Sequence, residues 1–268
     1  MQKILLFTLL AWPSSYVALA DETGADNSIR TSSSPENRVV FLELYTSEGC
    51  SSCPPADRLL SGLRSSGISN ERLIPVAFHV TYWDYIGWKD RFAKKQYDQR
   101  QRVLAARNSL NTIYTPQFVM SGEDYRSHAT FLEDVNKLAA EKATVSISLS
   151  ARILSNAKGS DEMHLGLTAD TTMSDAEDIA FFLLLIEDKL TSDVNDGENK
   201  GIRLHHDHVV RQLLGPYYHN DPKDTFRLQQ AVTLEPQWKR RDISIVSFAE
   251  NQRTGEVLQA AILKYYQE

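Results

Sequence analysis

Cys50 and Cys53, within Glu48-Gly49-Cys50-Ser51-Ser52-Cys53-Pro54-Pro55, are the two cysteines of a 268-residue chain, so any sulfur chemistry here belongs to this pair. A dithiol of this spacing suits three uses: exchange with a substrate disulfide, a structural bridge, or thiolate ligation of a metal. As a staple it is weak, since closing a four-residue loop is worth only about 2 kcal/mol in the chain-entropy account. Exchange needs an attacking thiolate, a resolving thiol, a proton acceptor and a way to hold the substrate in line. Cys50 fits the nucleophile and Cys53 the resolving thiol. Glu43 stands in an otherwise apolar run, where burial would raise its pKa. It is the candidate acceptor for the Cys53 proton, and the alternative is an ion pair at the sheet end. Glu48 is expected in solvent. His79 and Asp84 are further candidates for assisting proton transfer.

Local patterns say what must position the pair. Val39 to Tyr45 reads as a strand, and Ala56, Leu59, Leu60 and Leu63 follow the thiols at helical spacing, with Gly67 placed to cap the end. The pair therefore opens a helix, whose N-terminal end favours a thiolate. Leu73 to Val80 is a second apolar strand, and two such strands around one helix run parallel. Residues after Val80 are thus expected near Cys50. Among them Tyr82, Trp83 and Trp88 offer either a platform for an unfolded or peptide partner or the burial of a junction. Arg91 to Arg107 predicts a largely exposed helix, and Gln117 to Met120 a short strand. Thr130 to Glu133 predicts a capping box opening a last helix. A CxxC in this β-α-β-α-β-β-α order reads as a thioredoxin-like redox motif.

From Val145 the pattern alternates apolar with serine, and apolar segments recur at Met163–Thr168, Ile179–Glu187, Phe226–Val232, Ile243–Phe248 and Val257–Lys264. These predict antiparallel strands, the last two joined by a hairpin at Asn251 to Gly255. His205, His206 and His208 raise a metal reading, since positions i and i+2 on a strand share a face.

Composition bounds the rest. Lys3, the apolar run Ile4 to Leu10 and Ala18-Leu19-Ala20 fit a secretory signal peptide, and no later segment predicts a membrane span. Its loss takes the formal charge from -6 to -7, which points away from nucleic acid. Residues 21–37, rich in Ser, Asp, Asn and Glu, predict a disordered leader.

Three segments resemble the secreted DUF1223 proteins, a bacterial group of the thioredoxin-like superfamily: Glu43 to Asp57, Phe78 to Asp90, and Tyr114-Thr115-Pro116-Gln117. Weaker likenesses at Gly197 to Gly201, His208 to Arg211 and Thr254 to Leu258 extend the match over most of the chain. The resemblance implies export and a thioredoxin-like fold, with activity by superfamily analogy only. It also implies a cis bond at Thr115–Pro116, with the Thr115 backbone beside the cysteines to orient a substrate strand. The chain departs from the broader thioredoxin pattern in its CSSC pair, in two prolines at the helix start, and in an acid seven instead of six residues ahead. The direction of electron flow stays open.

The expected fold class is therefore α/β: a thioredoxin-like domain over 38–140, followed by a β-rich, sandwich-like domain over 141–268. The expected role is an exported thiol–disulfide oxidoreductase, periplasmic or secreted, that needs no cofactor. Its partner is expected to be a protein or peptide thiol or disulfide, an envelope redox protein among the possibilities. Two alternatives stand beside it: a binding module on the same frame without redox turnover, and a copper- or zinc-handling protein.

Overall fold

Two of the apolar runs, Val40–Thr46 and Leu73–His79, are buried at every position, which places them inside a sheet covered on both faces. The computed structural model describes residues 28–266, apart from 156–159, 174–175, 220 and 222–223. The predicted signal peptide and residues 21–27 lie outside the described residues. In chain order the elements are β1 (Arg30–Ser33), β2 (Val40–Thr46), α1 (Pro54–Gly62), β3 (Leu73–His79), α2 (Lys95–Arg107), β4 (Gln117–Met120), β5 (Glu123–Tyr125) and α3 (Phe131–Ala139). They continue with β6 (Val145–Ser155), β7 (Asp161–Thr171), β8 (Ile179–Glu187), β9 (Leu190–Asp193), β10 (Arg203–His206), β11 (Val209–Tyr218), β12 (Phe226–Thr233), β13 (Ile243–Asn251) and β14 (Val257–Lys264).

The main sheet has eight strands in the order β14-β13-β8-β11-β3-β2-β4-β5. β2 and β3 run parallel, with Val40 opposite Leu73 and Thr46 opposite His79, so both strands end at one edge. The pairs β13–β14, β13–β8, β8–β11, β2–β4 and β4–β5 are antiparallel. A second, antiparallel sheet holds β1-β6-β7-β12, and β9 pairs with β10 alone.

This corrects the expected fold class. Among the described residues 44% lie in strands and 20% in helices, with three α-helices, in large mixed and antiparallel sheets. The elements from β2 to α3 follow the predicted order, yet they do not close an α/β, thioredoxin-like unit. The free edge of β3 is taken up by β11, through Val209 opposite Ala77 and the Ala77 N–H donating to the His208 carbonyl at 2.8 Å. Strands from both halves of the chain thus share one sheet. The physical reason lies in β8, Ile-Ala-Phe-Phe-Leu-Leu-Leu-Ile-Glu, which is buried along its whole length. A strand apolar on both faces needs cover on both, which a half-buried sandwich strand does not.

That cover differs by face. Ile179, Phe181, Leu183 and Leu185 pack with β6, β7 and β14. Phe182, Leu184 and Ile186 join Phe41, Tyr45, Phe78 and residues Tyr97 and Leu104 of α2. Leu42 and Leu44 point the other way, onto Leu60 of α1 and Val135 of α3.

Local expectations met specific outcomes. Gly67 caps the turn after α1 with φ 80°, and β13 and β14 form the predicted hairpin. The leader is ordered from at least Arg30, where β1 pairs with β6. Its polar residues satisfy backbone groups without needing a core, so composition gave no sign of a strand. α2 is less exposed than predicted, because its inward face includes buried Arg100 and Gln101 as well as Tyr97 and Leu104. Thr130 does not cap α3; its hydroxyl donates to Asp134 Oδ2 at 2.7 Å. Among the described residues no helix is long and apolar enough to cross a membrane.

Candidate functional site

Cys50 and Cys53 form a disulfide, and both residues are 0% exposed. They lie at the edge where β2 and β3 end, with the Val80 N–H donating to the Thr46 carbonyl at 2.9 Å. Cys53 is the N-cap of α1. Pro54 and Pro55 occupy the first helical positions, where a missing N–H costs nothing. The next two N–H groups, of Ala56 and Asp57, both donate to the Cys53 carbonyl, at 2.9 and 3.1 Å. The first turn therefore keeps no spare N–H to donate to a Cys50 thiolate. The nearest donor is Ser52, whose Oγ is 3.3 Å from Cys50 Sγ.

A loop from far along the chain covers the pair. Asn199 Nδ2 donates to the carbonyls of Glu48 and Cys50 at 2.8 and 3.0 Å, and Glu198 Oε2 accepts from the Ser51 N–H at 2.9 Å. The aromatic segment closes the other side. A Cβ added at Gly49 would lie 3.1 Å from Trp83 Cβ, so a larger residue here would push the aromatic segment outward by a few tenths of an ångström.

Behind the disulfide lies a buried polar cluster. Glu48 is fully buried, not solvated as expected, and accepts from Trp88 Nε1 at 2.8 Å. His206 of β10 sets Nε2 3.3 Å from Glu48 Oε1 and Nδ1 3.8 Å from Asp57 Oδ2. His79 Nδ1 lies 2.6 Å from Asp90 Oδ2, which also accepts from the Glu48 N–H at 2.9 Å. The rings of His79 and His206 meet edge to face, with centroids 4.9 Å apart.

Charges in this cluster respond to burial and to one another. Desolvation raises the pKa of Asp57, against the pull of His206. Burial opposes a charge on His79, but Asp90 outweighs it, so the imidazole pKa is raised. Burial likewise disfavours the Asp90 carboxylate, and His79 together with backbone N–H donors reverses this, leaving its pKa lowered.

The predicted site residues divide. Glu43 lies away from the thiols: β2 turns it, with Phe41 and Tyr45, to the face opposite Leu42, Leu44 and α1. Arg100 Nε and Nη2 hold its two oxygens at 2.7 and 2.8 Å, and the Tyr45 hydroxyl donates to Oε2 at 2.8 Å. Those contacts are the ion-pair alternative. The Thr115–Pro116 bond is cis. Trp83, in contact with Gly49, donates from Nε1 to Thr115 Oγ1 at 2.7 Å, which links Thr115 to the cysteine loop. Tyr82 and Trp83 are half-buried against the core, with the Tyr82 hydroxyl 3.0 Å from Gln101 Oε1 and its pKa pushed by burial to about 12. Trp88 is half-buried through Glu48. In this segment Tyr85, at 81% exposed, is the side chain given to solvent.

The histidines do not act as a group. His205 is exposed, His206 is buried against the cluster, and His208 sits beyond β10 at φ 59°, with Nδ1 3.3 Å from Asp188. Among the described residues no set of three or more His, Cys, Asp or Glu side chains is arranged to hold a metal ion. Residue-by-residue reading missed Asp57, Asp90, Glu198 and Asn199 as site residues. The available signal was their position inside the segments that carry the family resemblance.

A family model described as a protein of unknown function, DUF1223, matches residues 41–250. No curated protein matches the chain. Among solved structures, protein AGR_C_4864 from Agrobacterium tumefaciens is similar at a TM-score of 0.59 and 21% identity, over 88% of this chain and 98% of that one. HBP35 of Porphyromonas gingivalis is similar at a TM-score of 0.64 and 14% identity, over 86% of this chain and 76% of that one. At these identities the likeness concerns the fold alone.

Proposed function

The chain belongs to the DUF1223 family, and from that premise we propose that it is an exported thiol–disulfide oxidoreductase working through Cys50 and Cys53. The observation that supports this reading is the disulfide formed by the chain's two cysteines at the opening of α1, flanked along the chain by Glu48 and Asp57, both members of a buried cluster of titratable side chains. A purely structural four-residue bridge has no need of such neighbours. Export rests on the N-terminal sequence pattern. The substrate is a thiol or disulfide of a protein or peptide, brought to the loop carrying exposed Ser51 and Ser52, with Trp83, which bonds Thr115, close to Gly49 of the same loop.

In the exchange a substrate thiolate attacks Cys50 Sγ, the bond to Cys53 breaks, and Cys53 leaves with its electron pair. A second substrate thiolate then attacks the substrate sulfur of the mixed disulfide and Cys50 leaves as a thiolate, or Cys53 attacks Cys50 Sγ and the substrate thiolate leaves. The test equilibrates the purified mature protein in glutathione buffers and measures both potential and rate. Fast exchange at a potential above about -300 mV, abolished by Cys50→Ser, is the expected result. A slow pair below that value refutes the reading.

A second reading has its own observation. Both cysteines of the disulfide are fully buried while Tyr85 stands exposed, which favours a binding module whose contact surface is the aromatic segment. In that case Tyr85→Ala removes partner capture and Cys50→Ser does not.

A further inference from the structure

The thiol chemistry proposed above leaves a proton unassigned. Cys53 is 0% exposed in the disulfide, so a thiolate leaving on it starts out of reach of solvent. Glu43, the residue the sequence offers for this task, is held by Arg100 on the other face of β2. Asp57 lies on the correct side. It follows Cys53 by four residues on α1, so the two share one helix face, and its N–H donates to the Cys53 carbonyl at 3.1 Å. Asp57 Oδ2, both ring nitrogens of His206, Glu48 Oε1 and His79 Nε2 are buried without a hydrogen bond. These atoms lie close to ionisable neighbours, with Asp57 Oδ2 3.8 Å from His206 Nδ1 and Glu48 Oε1 3.3 Å from His206 Nε2.

We infer that Asp57, backed by His206, is the proton carrier for Cys53. The inference rests on the oxidoreductase reading. In the opening direction a substrate thiolate bonds to Cys50 Sγ, the Cys50–Cys53 bond breaks, and its electron pair leaves on Cys53 Sγ. The protonated Asp57 carboxyl gives its proton to that sulfur. In the closing direction the Asp57 carboxylate takes the proton from the Cys53 thiol. Cys53 then attacks Cys50 of the mixed disulfide, and the substrate leaves as thiolate. The substrate thiol is oxidised in the first direction and a substrate disulfide reduced in the second. Groups facing Asp57 are His206 on β10, Thr46 at the end of β2, His79 at the end of β3, and Asp90 beyond it, with Glu48 on the far side of His206. Burial keeps the Asp57 carboxyl protonated to higher pH than a free aspartate, which suits a donor.

Two measurements test this. The first needs no turnover: in Cys50→Ser protein the ionisation of Cys53 is followed by thiolate absorbance at 240 nm from pH 5 to 11. Adding Asp57→Asn removes a neighbouring negative charge and is expected to lower the Cys53 pKa by about one unit. Superimposable curves overturn the inference. The second is the pH–rate profile of exchange. Asp57→Asn is expected to slow exchange by about 10²-fold near pH 6, with the deficit closing toward pH 9. A deficit constant across pH marks a structural role and also overturns it. Should Asp57→Asn fail to fold, His206→Gln takes its place. Loss of the imidazole is expected to move the Asp57-dependent limb of both curves upward in pH, and unmoved curves refute the pairing. If wild-type protein exchanges no faster than the buffer blank, the oxidoreductase reading falls alone, because the titration still reports the coupling of Asp57 to Cys53.

Discussion

Replacing Glu43 with Gln separates two roles that one carboxylate cannot hold together. Glu43, Arg100, Glu250 and Arg107 form a chain of alternating charge: Arg100 contacts Glu43 at 2.7 Å and Glu250 at 2.9 Å, and Arg107 contacts the other oxygen of Glu250 at 2.6 Å. The side chains of Arg100, Glu43 and Glu250 are 7%, 0% and 2% exposed, and Arg100 also lies over the Phe248 ring. Two acids and two bases balance. Glu43→Gln leaves one uncompensated positive charge under the sheet, while the amide oxygen still accepts a bond from Tyr45 or Arg100. Breaking a buried pair costs about 3 to 5 kcal/mol, and the retained acceptor places this variant toward the lower figure. With a urea m-value of about 2 kcal/mol per molar, the midpoint should fall by roughly 1.5 M. The assay is urea denaturation followed by tryptophan fluorescence, run beside disulfide exchange on the folded variant. Exchange should stay within about twofold of wild type, since Glu43 faces away from α1. A midpoint shift below about 0.3 M, or a tenfold loss of exchange with stability intact, refutes this account of Glu43.

Other expectations follow from the site. Ser52→Ala should raise the Cys50 thiol pKa by about half a unit to one unit, because Ser52 is the nearest donor to that sulfur; alkylation rate against pH reads it. Asn199→Ala removes two bonds at about 1 kcal/mol each and should speed reduction of the disulfide by dithiothreitol about tenfold, while an unchanged rate argues that the loop does not restrict access. The His79–Asp90 pair gives a pH signature. The raised His79 pKa contributes stability that is full below about pH 6.5 and is lost as pH rises through the folded value, and the depressed Asp90 pKa contributes stability lost as pH falls below about 4. Thermal unfolding should therefore show a maximum between those limits, with the alkaline limb missing in His79→Gln.

Sequence patterns resolved strands better than they resolved neighbours. β8 and β14 coincide with their predicted runs, because an apolar segment of that length bounded by turns has few alternatives. β11 escaped notice. Its residues mix Val, Leu, Arg and Gln, and its value lies in filling the edge of β3, a long-range pairing that no local pattern encodes. The cysteine pair and its place before α1 were legible from spacing alone. Glu43 was left between two roles for a physical reason: an acid in an apolar strand signals a partner, but the partner, Arg100, sits on a helix read as exposed. Asp57 and His206 were the converse, polar residues in ordinary surroundings whose meaning depends on β10 packing against α1.

The clamp by Asn199 also orders events in time. Asn199 reaches carbonyls 151 and 149 residues earlier in the chain, so the cover over the cysteines cannot form until most of the polypeptide has left the ribosome. Contacts of such sequence separation form late, after a large loss of chain entropy. For that interval Cys50 and Cys53 face any oxidant in their compartment, with neither loop nor cluster in place. The nascent chain thus passes through an open form of its own disulfide region before the Asn199 loop closes over it.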